Sequence, residues 1–327
     1  MLHLNNRLTG TFDWYRRNTK DMLVAGATLP ATLGASVPKS NSADMKTIGW
    51  ELSLGWNDRL ENGFSYWVKG VLSDYQATIT KYAGNDAGFY SQSDGDGKYY
   101  VGQKIGEIWG YHSNGLFQSD DEAATIDQSE LYAGKWGAGD VKYEDLDNDG
   151  KITKGEETIY NPGDKSIIGN KTPRYQFGIT VGFDYKNFDF EMFWQGTGKR
   201  DYMLSGAQFW GFTSQWDVPY TPALDYWTET NTDAYFPRPG WQNGGNRVTS
   251  DRYLQSAAYG RLKNLTVGYT IPKNLTTKWG ISRLRLYVTG ENLLTITPLN
   301  DAFDPETLGG MTYPINRKVA IGLNLTL

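Results

Sequence analysis

The segment from Tyr175 to Tyr185 reads Y-Q-F-G-I-T-V-G-F-D-Y, an unbroken alternation of side-chain character. Tyr175, Phe177, Ile179, Val181, Phe183 and Tyr185 fall on one face, and Gln176, Gly178, Thr180, Gly182 and Asp184 on the other. Side chains of a strand alternate between faces, so this is a strand with one apolar and one polar side. The apolar side is graded, with tyrosine at both ends, phenylalanine next inward and Ile179 and Val181 at the centre. At about 3.4 Å per residue and a tilt of about 45°, the two tyrosines stand roughly 24 Å apart across a layer, close to the apolar band of an outer-membrane barrel and its aromatic girdles. A sandwich strand in water alternates too, but has no reason to space its aromatics by one membrane thickness. The segment predicts a strand that faces a bilayer.

Bulk properties leave that reading open. In 327 residues with a mean hydropathy of -0.56, no apolar run approaches the ~18 residues of a transmembrane helix. A barrel escapes that test, because half of each strand is polar. Aromatics at 14% and 38 glycines suit a β-rich chain with girdles and many turns. With no cysteine, neither a disulfide framework nor a thiolate metal site is available. The net charge of -5 is unevenly placed: from Tyr111 to Tyr160, 12 acidic residues face 4 lysines. A basic nucleic-acid footprint is absent. Met1 opens directly onto strand-like sequence with no leader. A barrel needs export, so Met1 reads as a truncation point or misplaced start.

Eight segments carry the alternation: Leu8–Tyr15, Ile48–Asn57, Phe64–Ser73, Tyr175–Tyr185, Phe188–Gln195, Arg261–Ile271, Leu284–Glu291 and Val319–Leu327. Their polar faces carry Glu51, Lys69, Asp189, Glu191, Arg283, Arg285 and Glu291. Such charges cost little in a wet lumen and much in lipid. Trp50, Trp56, Tyr175, Tyr185 and Trp194 are the expected girdle residues. Connections alternate in length: Asp58–Gly63, Lys186-Asn187 and Pro272–Ser282 are short, whereas Arg16–Thr47, Asp74–Arg174, Gly196–Gly260 and Asn292–Lys318 are long. Short periplasmic turns and long extracellular loops are the asymmetry of outer-membrane barrels. The expected fold is therefore all-β, an antiparallel transmembrane barrel. Loops this long suit an arc of a larger barrel of about 22 strands, which by proportion would need on the order of 900 residues.

Several stretches resemble the C-terminal barrel of SusC/RagA-type TonB-dependent transporters. They are Asn5–Leu23, Gly49–Trp56, Gly139–Ile152, Ile168–Gly178, Asn246–Pro272 and Leu284–Leu294, in the family's order. Gly260 departs from the pattern where the family commonly has a larger residue, and Leu327 where a terminal Phe is usual. The resemblance implies energy-coupled import of glycans or peptides across the outer membrane, with a SusD-like surface lipoprotein as lid. It also implies contact with the TonB complex through N-terminal regions that would precede residue 1.

Asp145-Leu-Asp147-Asn-Asp149-Gly150-Lys151-Ile152-Thr153-Lys-Gly-Glu156 fits the twelve-position calcium loop in full. That spacing supplies carboxylates at 145, 147 and 149, the Lys151 carbonyl, Thr153 directly or through water, and a bidentate Glu156. The flanks are not helical, so a structural Ca²⁺ in the 74–174 loop is expected rather than an EF-hand sensor; the competing reading is an acidic solvated turn. Trp109, Tyr111, Trp210, Trp216, Trp227 and Trp241 lie in long loops. They are candidates for stacking on sugars or anchoring a protein, against a commoner role in packing the loops themselves. Catalysis finds little material: His3 and His112 are the only histidines, and no nucleophile elbow, phosphate loop or dinucleotide fingerprint occurs. The chain reads as part of a transporter and not an enzyme, with a surface adhesin or carbohydrate-binding β-protein as the alternative.

Overall fold

The computed structural model describes residues 2–4, 7–25, 32, 34, 38–83, 85, 88–89, 99–132, 134–240, 243–308, 313 and 315–327. The first strands are β1 (Leu2–Leu4), β2 (Leu8–Ala25), β3 (Lys39–Arg59), β4 (Ser65–Tyr82), β5 (Glu107–Tyr111), β6 (Ser113–Leu116), β7 (Val141–Tyr143) and β8 (Lys165–Asn170). They are followed by β9 (Arg174–Tyr185), β10 (Phe188–Lys199), β11 (Asp201–Met203), β12 (Leu254–Ser256), β13 (Tyr259–Thr270), β14 (Arg283–Ile296) and β15 (Lys318–Thr326). Helices are single turns: α1 (Asp120–Ala123), α2 (Ala207–Trp210) and α3 (Lys273–Thr276).

Nine strands form one sheet in the order β1-β2-β3-β4-β9-β10-β13-β14-β15, and every pairing is antiparallel. The eight expected strands are all present. The ninth, β1, pairs Leu2 with Gly10 and Leu4 with Leu8; three residues are too few for an alternation to register. Expected ends differ from observed ones mainly at the long loops. β2 continues past Tyr15 to Ala25, and β4 past Ser73 to Tyr82. On these extensions the outward set turns polar, at Arg16 and Asn18 on β2 and at Asp74 and Gln76 on β4, while Ala77 and Ile79 are buried on the other face of β4. The bilayer-type signal fades while the hydrogen-bonded ladder runs on.

Register merges the separate apolar faces into one. Directly opposed residues share a face. Val68 pairs with Val181, Met192 with Val181 and Leu265, and Val288 with Val267 and Ile321. On the other face Asp189 opposes Asp184 and Gly268, and Arg285 opposes Asn324. Asp189 reaches over Gly268 to accept from Arg285 Nε at 2.9 Å. A Cβ at residue 268 would lie 2.4 Å from that carboxylate, so this crossing requires glycine. A bulge between Leu262 and Asn264 resets the alternation, and places both Leu262 and Leu265 on the apolar face.

The long connections fold together above the sheet. Tyr111, Leu116, Val141, Tyr143, Ile152, Met203, Leu204, Phe209, Trp227, Phe236, Tyr253, Leu299 and Phe303 share one buried cluster. Its residues come from three loops, and the small ladders β5–β8, β6–β7 and β11–β12 brace it.

Candidate functional site: the outward wall and the loop body

The sheet's apolar face is uncovered. Phe12, Trp14, Ile179, Val267, Leu286, Val288, Ile321 and Leu323 all lie on it and all are exposed. Contiguous apolar surface on this scale marks contact with a membrane or another protein surface. The charged residues expected to face the lumen do sit on the opposite side. Near the short turns they border a cleft of about 610 Å³ lined by Trp67, Asp184, Asp189, Glu191, Arg283 and Arg285.

Each expected girdle residue is on the outward face: Trp50 pairs with Trp14, Trp56 with Val68, Tyr185 with Phe188 and Trp194 with Ile179. Tyr175 and Tyr185 close the two ends of the β9 apolar face. Trp194 sits level with Ile179, inside the span rather than at an end. Tyr175 takes φ 54°, which no alternation pattern foretells.

In the loop body most candidate contact aromatics serve packing. Tyr111 and Trp227 are buried, which corrects their assignment to ligand contact, because neither ring reaches the surface. Burial also raises the Tyr111 hydroxyl pKa. Trp210 packs edge-on to Tyr253 at 4.6 Å, and Trp109 stacks on Phe89 at 4.2 Å. Trp216 is 83% exposed. Trp241 lies outside the described residues.

The acidic loop takes the expected shape at its start. Asp145 Oδ1 accepts from Asn148 N–H at 2.7 Å and its Oδ2 from Gly150 N–H at 2.8 Å; Asp149 Oδ1 accepts from Lys151 N–H at 2.8 Å. Gly150 takes φ 82°, the left-handed turn for which the sixth position needs glycine. Ile152 turns inward and is buried. Asp145, Asp147 and Asp149 bring ligand oxygens within 4.8 Å of one another. Glu156 does not join that group; it is exposed, and its N–H donates to Asn161 O. The chain turns away at Gly155 and Glu157, both at positive φ. Thr153 is tied instead to Asp164, whose carboxylate accepts from Thr153 N–H and Leu146 N–H, each at 2.7 Å. Burial raises the Asp164 pKa, and the neighbouring Asp147 and Asp145 add to that shift.

Two further nodes escaped sequence reasoning. Asp140 is fully buried and accepts from Gly137 N–H, Arg238 Nη2, Asn243 Nδ2 and Asn246 Nδ2. His112 bridges Asp251 Oδ2 and Ser166 Oγ, each at 2.7 Å, and so fastens two loops together. Their partners lie about a hundred residues away or farther in several cases, and no local spacing announces them.

Comparison with known proteins follows this geometry. No family model matches the chain. TonB-dependent receptor P3 of Formosa agariphila is 29% identical over 351 residues, covering 98% of this chain and 32% of the relative. TonB-dependent receptor SusC of Bacteroides thetaiotaomicron is 25% identical over 329 residues, covering 98% and 30%. A chain in the structure of the RagAB peptide transporter superposes with a TM-score of 0.73 at 21% identity, covering 98% of this chain and 34% of that one. The fold is thus the antiparallel barrel sheet found in that transporter. The resemblance to SusC/RagA-type TonB-dependent receptors holds over nearly the whole chain, which spans about a third of the length of the relatives it matches.

Proposed function

We propose that the chain is the C-terminal barrel portion of an outer-membrane, TonB-dependent importer of large nutrients, glycans or peptides, working with a SusD-like surface lipoprotein. The observation that carries this reading is the continuous exposed apolar wall, with lumen charges confined to the other face. A lipid phase removes the cost of leaving such a wall uncovered. The names of the relatives, receptors and a peptide transporter, support uptake rather than catalysis. Uptake of labelled oligosaccharide and peptide pools by cells carrying the full-length protein is the test. Uptake should stop when the proton gradient is collapsed. Binding without any gradient-dependent uptake would favour a surface adhesin and refute import.

A structural Ca²⁺ on the 83–173 loop is a second reading, favoured by the convergence of Asp145, Asp147 and Asp149. Three carboxylate oxygens and the Lys151 carbonyl are the hard donors such an ion takes. Bound there, the ion would offset the local negative charge and order the loop, while Asp164 closes the turn without it. Titration calorimetry at millimolar calcium is the check: heat in the unsubstituted protein and none in Asp147→Ala. Absence of heat in both returns the motif to an acidic turn.

A further inference from the structure

We propose that a cleft on the outward face, directly above Tyr175, binds a lipid phosphate headgroup. The inference rests on the reading of the apolar wall as bilayer-facing. Above the Ser73–Gln176 pair, β9 no longer accompanies β4, and residues 102–105 take its place. Ile79 N–H donates to Gln103 O and Ile105 N–H to Ala77 O, each at 2.9 Å, with Thr78 opposite Lys104. Asp74, Gln76 and Thr78 continue the outward set of Val68 and Leu72, so Lys104 shares the outward face. Tyr175, at φ 54°, breaks the alternation at this level. Arg174 is thereby brought to the carboxylate of Asp74, and Lys199 stands opposite Arg174. The resulting cleft, of about 530 Å³, is lined by Gln76, Lys104, Arg174, Tyr175 and Lys199 among others.

Charge in the cleft balances on paper but not in space. Asp74 is buried against Arg174, and Glu107 accepts from Tyr100 Oη at 2.6 Å and Lys104 N–H at 3.0 Å. Asp201, also on the lining, accepts from Asn170 N–H at 2.9 Å. Asp74 is thus neutralised by Arg174, whereas Glu107 and Asp201 keep their charge but are turned toward the protein's own O–H and N–H donors. Lys104 and Lys199 are exposed, and neither ammonium meets a carboxylate among the described residues. Lys104, on the outward face, thus stands just above a tyrosine that ends the apolar wall, with Lys199 lining the same cleft from β10 and the Leu72–Phe177 pair one step below for acyl chains. A phosphate at the outer headgroup level meets that chemistry, and lysines near a membrane surface attract anionic lipid strongly enough to select it.

The probe is phosphatidic acid, with phosphatidylcholine as control. Lipid retention is read by native mass spectrometry on the protein extracted from its own membrane in mild detergent. Phosphatidic acid should be retained preferentially. Lys104→Gln with Lys199→Gln should lower its retention about fivefold per lysine, roughly 25-fold together. Lys273→Gln with Lys278→Gln, at a short turn on the opposite edge, should leave it unchanged. Equal retention in the Lys104/Lys199 variant overturns the site. Displacement by inorganic phosphate at equal concentration assigns the cleft to free anions and overturns the lipid assignment. Quenching by brominated lipid of the wall tryptophans, Trp14, Trp50, Trp56 and Trp194, is measured alongside. Quenching in both forms upholds the wall whatever the cleft does, and its absence brings down wall and cleft together.

Discussion

Ile321 on β15 and Val141 on β7 are both β-branched strand residues, yet one is 83% exposed and the other fully buried. The contrast extends to the regions around them. The sheet presents its apolar side chains outward and gathers charge on its inner face. The loop body does the reverse, enclosing Phe209, Tyr143 and Tyr253 and presenting acidic turns to the surface. One chain therefore contains two opposite solutions to burial. They coexist when the two regions face different surroundings, which in the proposed reading are lipid for the wall and water for the loops. The boundary falls near Asp74 and Tyr175, where outward residues change from apolar to charged within one or two positions.

The largest expected effect separates the regions from the loop side. Phe209 meets Trp210, Phe236, Tyr253 and Phe303 at ring distances of 5.1–6.2 Å. Phe209→Ala should cost about 3–5 kcal/mol of loop-body stability. Limited proteolysis should then cut within residues 200–258, while the sheet keeps its resistance in lipid. Simultaneous loss of both would show that the two regions fold as one unit and would break the comparison.

From the wall side, Val181→Arg places a charge at the centre of the apolar face. It should cost about 2–4 kcal/mol or block assembly, whereas Thr180→Arg, one residue away on the polar face, should be tolerated. Unfolding titrations in vesicles measure both. Equal damage at 180 and 181 points to a strand buried on two sides and removes the lipid from the argument.

The two regions were also unequally legible. Eight strands, their facing and the sites of short turns followed from period-two alternation, because a wall between lipid and water repeats one local rule along every strand. Leu2–Leu4 was too short for that rule, and the extensions to Ala25 and Tyr82 begin where the outward set turns polar, at Arg16 and Asp74. The loop body obeys no such period. Asp145, Asp147, Asp149 and Gly150 formed a readable local motif, but its closure did not. Glu156 turns away, and Asp164, which binds Leu146 and Thr153, lies outside the twelve positions. Tyr111 and Trp227 look like surface aromatics in sequence, since composition cannot separate a ring that packs a loop from one that awaits a ligand.

Asp164 offers a test of intermediate size. Its carboxylate accepts two backbone N–H groups from the two arms of the acidic turn. An amide has one acceptor oxygen, so Asp164→Asn should strand one donor at a cost of about 1–3 kcal/mol. Faster amide exchange confined to residues 146–153, with the sheet unmoved, is the expected readout. Unchanged exchange there would show that the turn holds its shape without the clamp.

The smallest effect tests whether the loop body carries the ordinary electrostatics of a water-facing surface. α1 is capped by Ser119, whose Oγ accepts from Glu122 N–H at 3.1 Å, while the Glu122 carboxylate accepts from Gln118 N–H at 2.7 Å. That backbone bond, with the 2.8 Å ion pair to Lys142, holds the Glu122 carboxyl below its ordinary value of 4.5. A lowered folded pKa means that the unfolded chain takes up the proton first on acidification. The stabilisation is therefore fully present above pH 4.5 and fades as pH falls through the folded pKa. Both side chains are about a third exposed, so screening keeps the contribution to about 0.5 kcal/mol. Glu122→Gln should speed amide exchange in residues 118–125 by about twofold at neutral pH and leave it unchanged once the pH is well below the folded pKa. It should also lose that effect in molar salt, as an exposed pair must. A salt-independent loss at every pH would mean that Glu122 acts through packing, and that the loop surface is less water-like than its exposure indicates.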